Sequence, residues 1–119
     1  MKILIVEDDD ILVKVLEEKL QDEGFEVSIA MDGNSALVTA KKNKPDVILL
    51  DLILPKADGL EVLSKLKGND QLENVPIIIL SNLGEDQKIK QALALGAIDY
   101  LIKAQHPIKE VVEKIKEYI

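Results

Sequence analysis

The feature that most constrains this 119-residue sequence is a set of three short segments that are apolar at every position, residues 3–6, 47–50 and 77–80. Short segments rich in branched side chains and bounded by polar residues are typical of β-strands. A strand with one face in water alternates apolar and polar residues, so these three strands must be covered on both faces, as in a parallel sheet between helices. Residues 25–29 and 100–102 complete a set of five predicted strands.

Helical periodicity occupies each interval between the strands and continues after the last one. Apolar residues recur at spacings of three and four, which predicts five amphipathic helices. They are Ile11, Leu12, Val15, Leu16 and Leu20, then Ala36, Leu37 and Ala40, then Leu60, Leu63 and Leu66, then Ile89, Ala92 and Leu93, and finally Ile108, Val111, Val112 and Ile115. Gly24, Gly68 and Gly96 are predicted helix ends, and Pro107 suits the first turn of the last helix.

The alternation of strand and helix, repeated five times, predicts a doubly wound α/β fold. Right-handed crossovers favour a five-stranded parallel sheet with strand order 2-1-3-4-5 and helices on both faces. The sequence shows no linker, low-complexity segment or internal repeat, so we expect a single domain over residues 1–119. Because the last helix runs to the final residue, we expect no effector domain within this sequence.

Charge and cysteine content exclude several classes of function. The chain has 22 acidic residues, 15 lysines and no arginine, which gives a net charge of −7 and argues against direct nucleic-acid binding. The absence of cysteine rules out disulfides, thiolate zinc sites and cysteine nucleophiles. No segment approaches the roughly 20 apolar residues of a membrane span, and no signal-peptide pattern is present. We therefore expect a cytoplasmic domain with no membrane contact.

Polar residues follow four of the predicted strands, at the carboxyl ends where doubly wound sheets bind their ligands. Glu7 and Asp8 follow the first strand, Asp51 the third, Ser81 the fourth and Lys103 the fifth. These four strands are neighbours in the predicted order. We therefore expect the five side chains to meet in one shallow pocket.

Three carboxylates in one pocket repel one another, and this repulsion either raises their pKa values or requires a cation. Ligands that offer only oxygen favour a hard ion that keeps part of its water, which indicates Mg²⁺. A carboxylate beside Mg²⁺, with a lysine opposite, is suited to attack a phosphoryl group, because metal and lysine neutralise the charge on the phosphoryl oxygens. The residue types thus predict metal-dependent phosphoryl chemistry.

These residues also have plainer interpretations. One of Asp8, Asp9 and Asp10 is expected to cap the first helix, and Lys103 is equally suited to lie along the surface with its head group in water. Asp51 is harder to explain in this way, because no helix begins directly behind it. The hypothesis of a site therefore depends on all of the polar residues falling at strand ends.

Five segments of the sequence together resemble the receiver domain of two-component response regulators. They are ILIVEDD (3–9), DVILLDLILP (46–55), DGLEV (58–62), VPIIILS (75–81) and ALGAIDYLIK (94–103), which follow the family's order and spacing. The resemblance covers essentially the whole chain. It implies a phosphorylation-dependent signalling switch rather than an enzyme, with catalysis limited to its own phosphorylation and dephosphorylation. The implied partners are a sensor histidine kinase or phosphotransfer protein, and an output protein or missing effector domain. The chain lacks the arginines often used in the dimer face of transcription-factor receivers, so the resemblance implies a monomer.

The resemblance implies a role for each matching acidic residue. Asp51 is the expected phosphoacceptor. Glu7, Asp8 and Asp51 are the expected side-chain ligands of Mg²⁺, directly or through water, and the backbone carbonyl of Ile53 is a further expected ligand. On this assignment Asp9 is more suited to a helix cap than to a ligand.

The resemblance also implies a set of switch residues. Ser81 is the expected hydroxyl that turns toward the new phosphoryl group. Lys103 is expected to pair with Asp51 before the reaction and with the phosphoryl group after it. Tyr100 is the expected aromatic switch, although a half-buried strand aromatic is the plainer interpretation of that residue alone.

Three positions depart from the family's pattern. Ala104 follows Lys103 where proline in a cis bond is common; a cis bond to another residue costs ~3 kcal/mol, so we expect a trans bond or a strained loop. Asn82 stands beside Ser81 where a small residue is common, and we expect it to narrow access to the phosphoryl group. Lys56 stands where glycine is common.

Three other classes of protein fit part of the pattern. A metal-dependent phosphatase of the haloacid type would carry a second aspartate two residues after the first, where this chain has Ile53. A flavodoxin-like cofactor binder would carry a phosphate-binding loop after the first strand and aromatics beside the flavin, and the sequence has neither. A receiver-fold scaffold that is never phosphorylated, or an isolated fragment of a longer regulator, stays open as the alternative.

Overall fold

Strands and helices alternate along the chain in the predicted order. The computed structural model describes residues 1–119. The strands are β1 (Lys2–Val6), β2 (Glu26–Ala30), β3 (Val47–Leu50), β4 (Ile53–Leu54), β5 (Ala57–Asp58), β6 (Ile77–Ser81) and β7 (Asp99–Ile102). The helices are α1 (Asp10–Asp22), α2 (Gly33–Asn43), α3 (Gly59–Lys67), α4 (Asp86–Ala94) and α5 (Ile108–Glu117). None of these helices combines the length and apolar character that crossing a bilayer requires.

Five strands form one parallel sheet in the order β2-β1-β3-β6-β7, and β4 pairs with β5 in a separate antiparallel hairpin. With the sheet strands counted alone, this is the predicted order 2-1-3-4-5, which is confirmed. Leu50 at the end of β3 pairs with Val6 on one side and Ile79 on the other. The strands therefore end together, and the residues that follow them lie along one edge.

The central strands are buried on both faces because their alternate side chains enter two different cores. In β3, Val47 and Leu49 pack with α1 and α5, whereas Ile48 and Leu50 pack with α2, α3 and α4. The period of two in a strand places successive side chains on opposite faces. Two covered faces therefore explain why no polar residue interrupts these strands.

Aspartates determine where the first three helices begin. Asp9, Asp32 and Asp58 each accept a hydrogen bond from a first-turn backbone N–H, of α1, α2 and α3 respectively. Such caps satisfy N–H groups that have no partner within the helix. The expectation that one acidic residue after β1 caps α1 is confirmed, and that residue is Asp9, which leaves Asp8 without a capping role.

The buried face of α1 differs from the predicted one. Ile11 is 78% exposed and Val15 is 38% exposed, whereas Val13, which was not predicted, is buried with Leu16 and Leu20. The buried residues keep spacings of three and four, as predicted for a helix. The sequence contains two overlapping apolar patterns in this segment, and packing against the sheet selects the one that contains Val13.

Two other predicted positions need correction. Leu93 in α4 is 45% exposed, and Ala92 is the buried residue of that helix. Phe25 lies before β2 rather than in it; its side chain is buried, and its N–H donates to the carbonyl of Leu20. Leu93 is one residue from the end of α4, whereas Phe25 lies in the turn between α1 and β2, and the apolar pattern defines the direction of neither side chain.

The β4-β5 hairpin, which follows β3, was not predicted. Lys56 at its turn has a φ of 67°, in the left-handed region that favours glycine, which accounts for the glycine common at this position in the family. The hairpin leads into α3 at Gly59, where a Cβ would overlap the backbone of Leu52. All peptide bonds are trans, including the one between Lys103 and Ala104.

Candidate functional site

The carboxyl edge of the sheet gathers the acidic residues that follow β1 and β3. Carboxylate oxygens of Glu7, Asp8 and Asp51 all lie within 4.8 Å of one another. Glu7 and Asp51 are 3% and 4% exposed, whereas Asp8 is exposed to water. Negative charges this close are unfavourable without a cation, so the cluster is suited to bind one.

Lys103 provides one positive charge at this cluster. Its Nζ lies 2.5 Å from Glu7 Oε1 and 2.7 Å from Asp51 Oδ2. Its backbone N–H donates to the carbonyl of Ser81 at 3.0 Å, which holds the base of the side chain. Burial lowers the pKa of Lys103, but the hydrogen bonds and charges of Asp51 and Glu7 outweigh burial, so the pKa is raised overall. The residue therefore remains an ammonium group.

Glu7 is the most constrained of the three carboxylates. Its Oε2 accepts the backbone N–H groups of Asp8 at 3.0 Å and Asp9 at 3.2 Å, and its Oε1 faces Lys103. Burial raises the pKa of Glu7, the hydrogen bond from Lys103 lowers it, and the charge of Asp51 raises it further, with a net increase. The pairing of Lys103 with Glu7 was not predicted from the sequence.

Asp51 presents both carboxylate oxygens to the cluster. Oδ1 accepts the N–H of Ile53 at 3.0 Å, and Oδ2 accepts Nζ of Lys103. Each carboxylate oxygen has two lone pairs, so neither oxygen is saturated by these bonds. Ile53 begins β4, and the use of its carbonyl as a metal ligand stays a prediction.

Ser81 and Tyr100 both contact Leu83, in the loop between β6 and α4. Ser81 is fully buried at the end of β6, and its Oγ accepts the N–H of Leu83 at 3.3 Å. Tyr100 in β7 is half-buried, and its hydroxyl donates to the carbonyl of Leu83. Burial and the charge of Asp51 raise the pKa of Tyr100, so it remains a hydrogen-bond donor. A movement of this loop would therefore affect both side chains.

One contact beside the cluster was missed from the sequence. Oδ1 of Asn82 accepts the backbone N–H of Ala104 at 3.1 Å. The signal available in the sequence is that both positions depart from the family pattern. The structure shows that they are partners.

Comparisons with known proteins agree with this fold. The family model described as "Response regulator receiver domain" matches residues 3–116. The response regulator PleD of Caulobacter vibrioides is 42% identical over 111 residues, which is 92% of this chain and 24% of PleD. The chemotaxis protein CheY4 of Vibrio cholerae has a TM-score of 0.91 at 29% identity, covering 99% of this chain and 98% of that one. The BeF3-activated N-terminal receiver domain of RstA from Klebsiella pneumoniae gives 0.90 at 29% identity, covering 99% and 97%.

The curated relatives are longer proteins. The chain spans 24% of PleD and 56% of the probable transcriptional regulator ycf29 of Porphyra purpurea. Its similarity is thus to one region of such relatives, and the family model covers nearly all of the chain. This chain belongs to the family of response regulator receiver domains, which are signalling domains of two-component systems.

Proposed function

We propose that residues 1–119 act as one receiver unit that accepts a phosphoryl group on Asp51 in a Mg²⁺-dependent reaction. The observation that supports this most is the placement of one ammonium group, Lys103, between two buried carboxylates beside the exposed Asp8. A cluster of this kind has an open side that a cation and a phosphoryl donor can approach. It also has a positive charge that can follow the transferred group.

The donor set fits Mg²⁺. Glu7, Asp8 and Asp51 would hold the ion, with the carbonyl of Ile53 as a further ligand. These ligands offer only oxygen, and the exposure of Asp8 leaves room for the water molecules that Mg²⁺ retains. When bound, the ion supplies charge neutralisation at the oxygens of the transferred phosphoryl group.

In the proposed reaction, an oxygen of the Asp51 carboxylate attacks the phosphorus of a phosphohistidine on a sensor kinase or phosphotransfer protein. A P–O bond forms, the P–N bond breaks, and the imidazole nitrogen leaves with the electron pair and takes up a proton. Lys103 moves its contact from Asp51 to a phosphoryl oxygen. Lys103 enters the reaction as an ammonium group, because Asp51 and Glu7 raise its pKa against the opposing effect of burial; its role is to neutralise charge, not to transfer a proton.

The output follows from the loop that contains Leu83. The Ser81 hydroxyl exchanges its bond with the Leu83 N–H for one with a phosphoryl oxygen, and the loop movement changes the position of Tyr100. The surface formed by α4, β7 and α5 then changes its affinity for a partner protein or a joined effector domain. Moving such a switch from mostly off to mostly on requires about 5.5 kcal/mol of differential interaction.

The test is phosphorylation by acetyl phosphate, read by intact mass. We expect the wild type to gain one phosphoryl group with Mg²⁺ and none with EDTA, and Asp51→Asn to gain none. Asp46→Asn is the matched control, because Asp46 accepts a backbone N–H at the opposite edge of the sheet, and it should label normally. Labelling of Asp51→Asn would refute the acceptor, labelling in EDTA would refute the metal, and an unlabelled wild type would favour the scaffold.

A further inference from the structure

We propose that Asn82 is a positioning residue for Lys103, acting through the backbone N–H of Ala104. The role rests on the phosphoryl transfer proposed above, because its purpose is to hold the ammonium group of Lys103 at Asp51. The hydrogen bond on which it depends is independent of that function.

The bond continues the connection between β6 and β7 beyond the last strand pair. Ser81 and Ile102 form that pair. The next amide, of Lys103, donates to the Ser81 carbonyl at 3.0 Å, and the amide after it, of Ala104, donates to Oδ1 of Asn82 at 3.1 Å. Lys103 and Ala104, which follow β7, are thus bonded in register to Ser81 at the end of β6 and to Asn82 behind it.

The rest of the loop after β7 is bonded within itself. The N–H groups of Gln105 and His106 both donate to the carbonyl of Ile102, at 2.9 and 3.1 Å. Before Lys103 the chain is held in the sheet as β7, and after Ala104 it turns back on itself. The contact with Asn82 therefore ties this turn to the loop that follows β6.

The contact requires the particular residues found at both positions. A proline at position 104 has no N–H to donate, and a small residue at position 82 has no acceptor in reach. The two departures from the family pattern are therefore complementary. In this chain, the Asn82 side chain and the Ala104 amide together restrain the backbone on the far side of Lys103.

A restraint on Lys103 and a barrier to access make opposite predictions. If Asn82 only narrows access to Asp51, removing its side chain should speed phosphorylation. If it positions Lys103, removal should slow the reaction, because the ammonium group must be in place where negative charge develops. The sign of the change distinguishes the two roles.

Amide hydrogen exchange tests the bond itself. We expect the Ala104 amide to be protected in the wild type although the residue is exposed. Asn82→Ala should abolish that protection, and Asn82→Asp, which keeps an oxygen acceptor, should retain it. The Lys103 amide, bonded to the strand, should stay protected in all three proteins. An Ala104 amide that exchanges freely in the wild type would overturn the proposal.

Phosphorylation kinetics test the positioning role. With acetyl phosphate in excess, Asn82→Ala should lower the maximal rate roughly three- to tenfold, the range expected for one net hydrogen bond. The half-saturating Mg²⁺ concentration should not change. Ala104→Pro should slow the reaction similarly, and the double variant should be no slower than the slower single one. Gln105→Ala is the surface control.

The possible outcomes distinguish failure of the positioning role of Asn82 from failure of the proposed phosphoryl transfer. A faster Asn82→Ala protein would overturn positioning in favour of an access barrier, and additive losses in the double variant would show that the residues act independently. A wild type that is never phosphorylated but keeps its Ala104 amide protected would overturn the proposed function and the positioning role, while leaving the loop contact established.

Discussion

Two lysines at opposite edges of the sheet are held by similar numbers of hydrogen bonds, yet their pKa values shift in opposite directions. Lys103 at the carboxyl edge donates to the carboxylates of Asp51 and Glu7, and its pKa is raised. Lys67 at the amino edge donates to the backbone carbonyls of Glu73 and Val75, each at 3.0 Å, and burial lowers its pKa.

The comparison shows that the charge of the acceptor decides the direction, since both lysines are partly buried. Neutral carbonyls accept the hydrogen bonds of Lys67 but do not offset the free-energy cost of removing water from its charge. The carboxylates around Lys103 do offset that cost. The amino edge thus uses a lysine to fasten the loop before β6, whereas the carboxyl edge uses one to balance charge at a site for chemistry.

The largest expected effect is the difference in stability lost when each of the two lysines is removed. Lys103→Met leaves two carboxylates of low exposure without their cation, and we expect it to lower the free energy of unfolding by about 3 kcal/mol at neutral pH. Lys67→Met leaves two carbonyls that water can approach, and we expect a loss of about 1 kcal/mol. Urea unfolding of both variants measures the difference.

Added Mg²⁺ should change the stabilities of the two lysine variants by different amounts. A cation bound at the acidic cluster replaces part of what Lys103 supplies, so excess Mg²⁺ should restore a larger share of stability to Lys103→Met than it adds to the wild type. It should stabilise Lys67→Met only as much as the wild type, because that variant keeps the acidic cluster intact and Lys67 bonds to backbone carbonyls, not to carboxylates. Equal losses in the two variants, or no selective effect of Mg²⁺, would contradict this account.

Much of the carboxyl edge could be predicted because its information is local in sequence. Asp51 directly follows an apolar strand, and a parallel sheet places every such position along one edge. The strand order followed from the same alternation of strands and helices. These inferences need only the positions of residues relative to the ends of strands.

Other contacts could not be predicted because they depend on which groups two distant loops present to each other. Nothing local to Lys103 indicates that Glu7 is a second acceptor, and nothing local to Lys67 indicates two carbonyls before β6. The same limit applies to the bond between Asn82 and Ala104. The buried face of α1 was predicted wrongly for a different reason: two apolar patterns fit this helix, and only packing against the sheet distinguishes them.

Gly96 offers a smaller perturbation of the amino edge alone. It has a φ of 112°, and a Cβ there would lie 3.1 Å from Cγ and Cε of Lys67. Gly24 has a φ of 92° with nothing within 4 Å of a Cβ. Both Gly→Ala changes incur backbone strain, of roughly 1 kcal/mol. We expect Gly96→Ala to lose more, by up to about 1 kcal/mol, because the lysine must shift from its carbonyls.

The matched glycine isolates the contribution of Lys67. In a Lys67→Met background the excess loss of Gly96→Ala over Gly24→Ala should shrink, because the hydrogen bonds that the new methyl group disturbs are already absent. Thermal unfolding of the five variants provides this comparison. An unchanged excess would mean that the added Cβ acts through the backbone of the α4-β7 loop and not through the lysine.

The smallest expected effect is a pH dependence of opposite sign to that of a salt-bridged lysine. The folded-state pKa of Lys67 lies below its ordinary value of 10.5. Between the two values the unfolded chain binds more protons, so the contribution of Lys67 to the free energy of unfolding rises with pH. We therefore expect the stability difference between wild type and Lys67→Met to grow as the pH rises toward 10.5. A neutral amine still has two N–H donors for the two carbonyls, so the bonds survive loss of the charge.

Lys65→Met, on the exposed side of α3, is the control for losing one lysine. A difference that falls with pH would show that the carbonyls stabilise the ammonium group more than burial destabilises it, and the contrast with Lys103 would then be one of degree only.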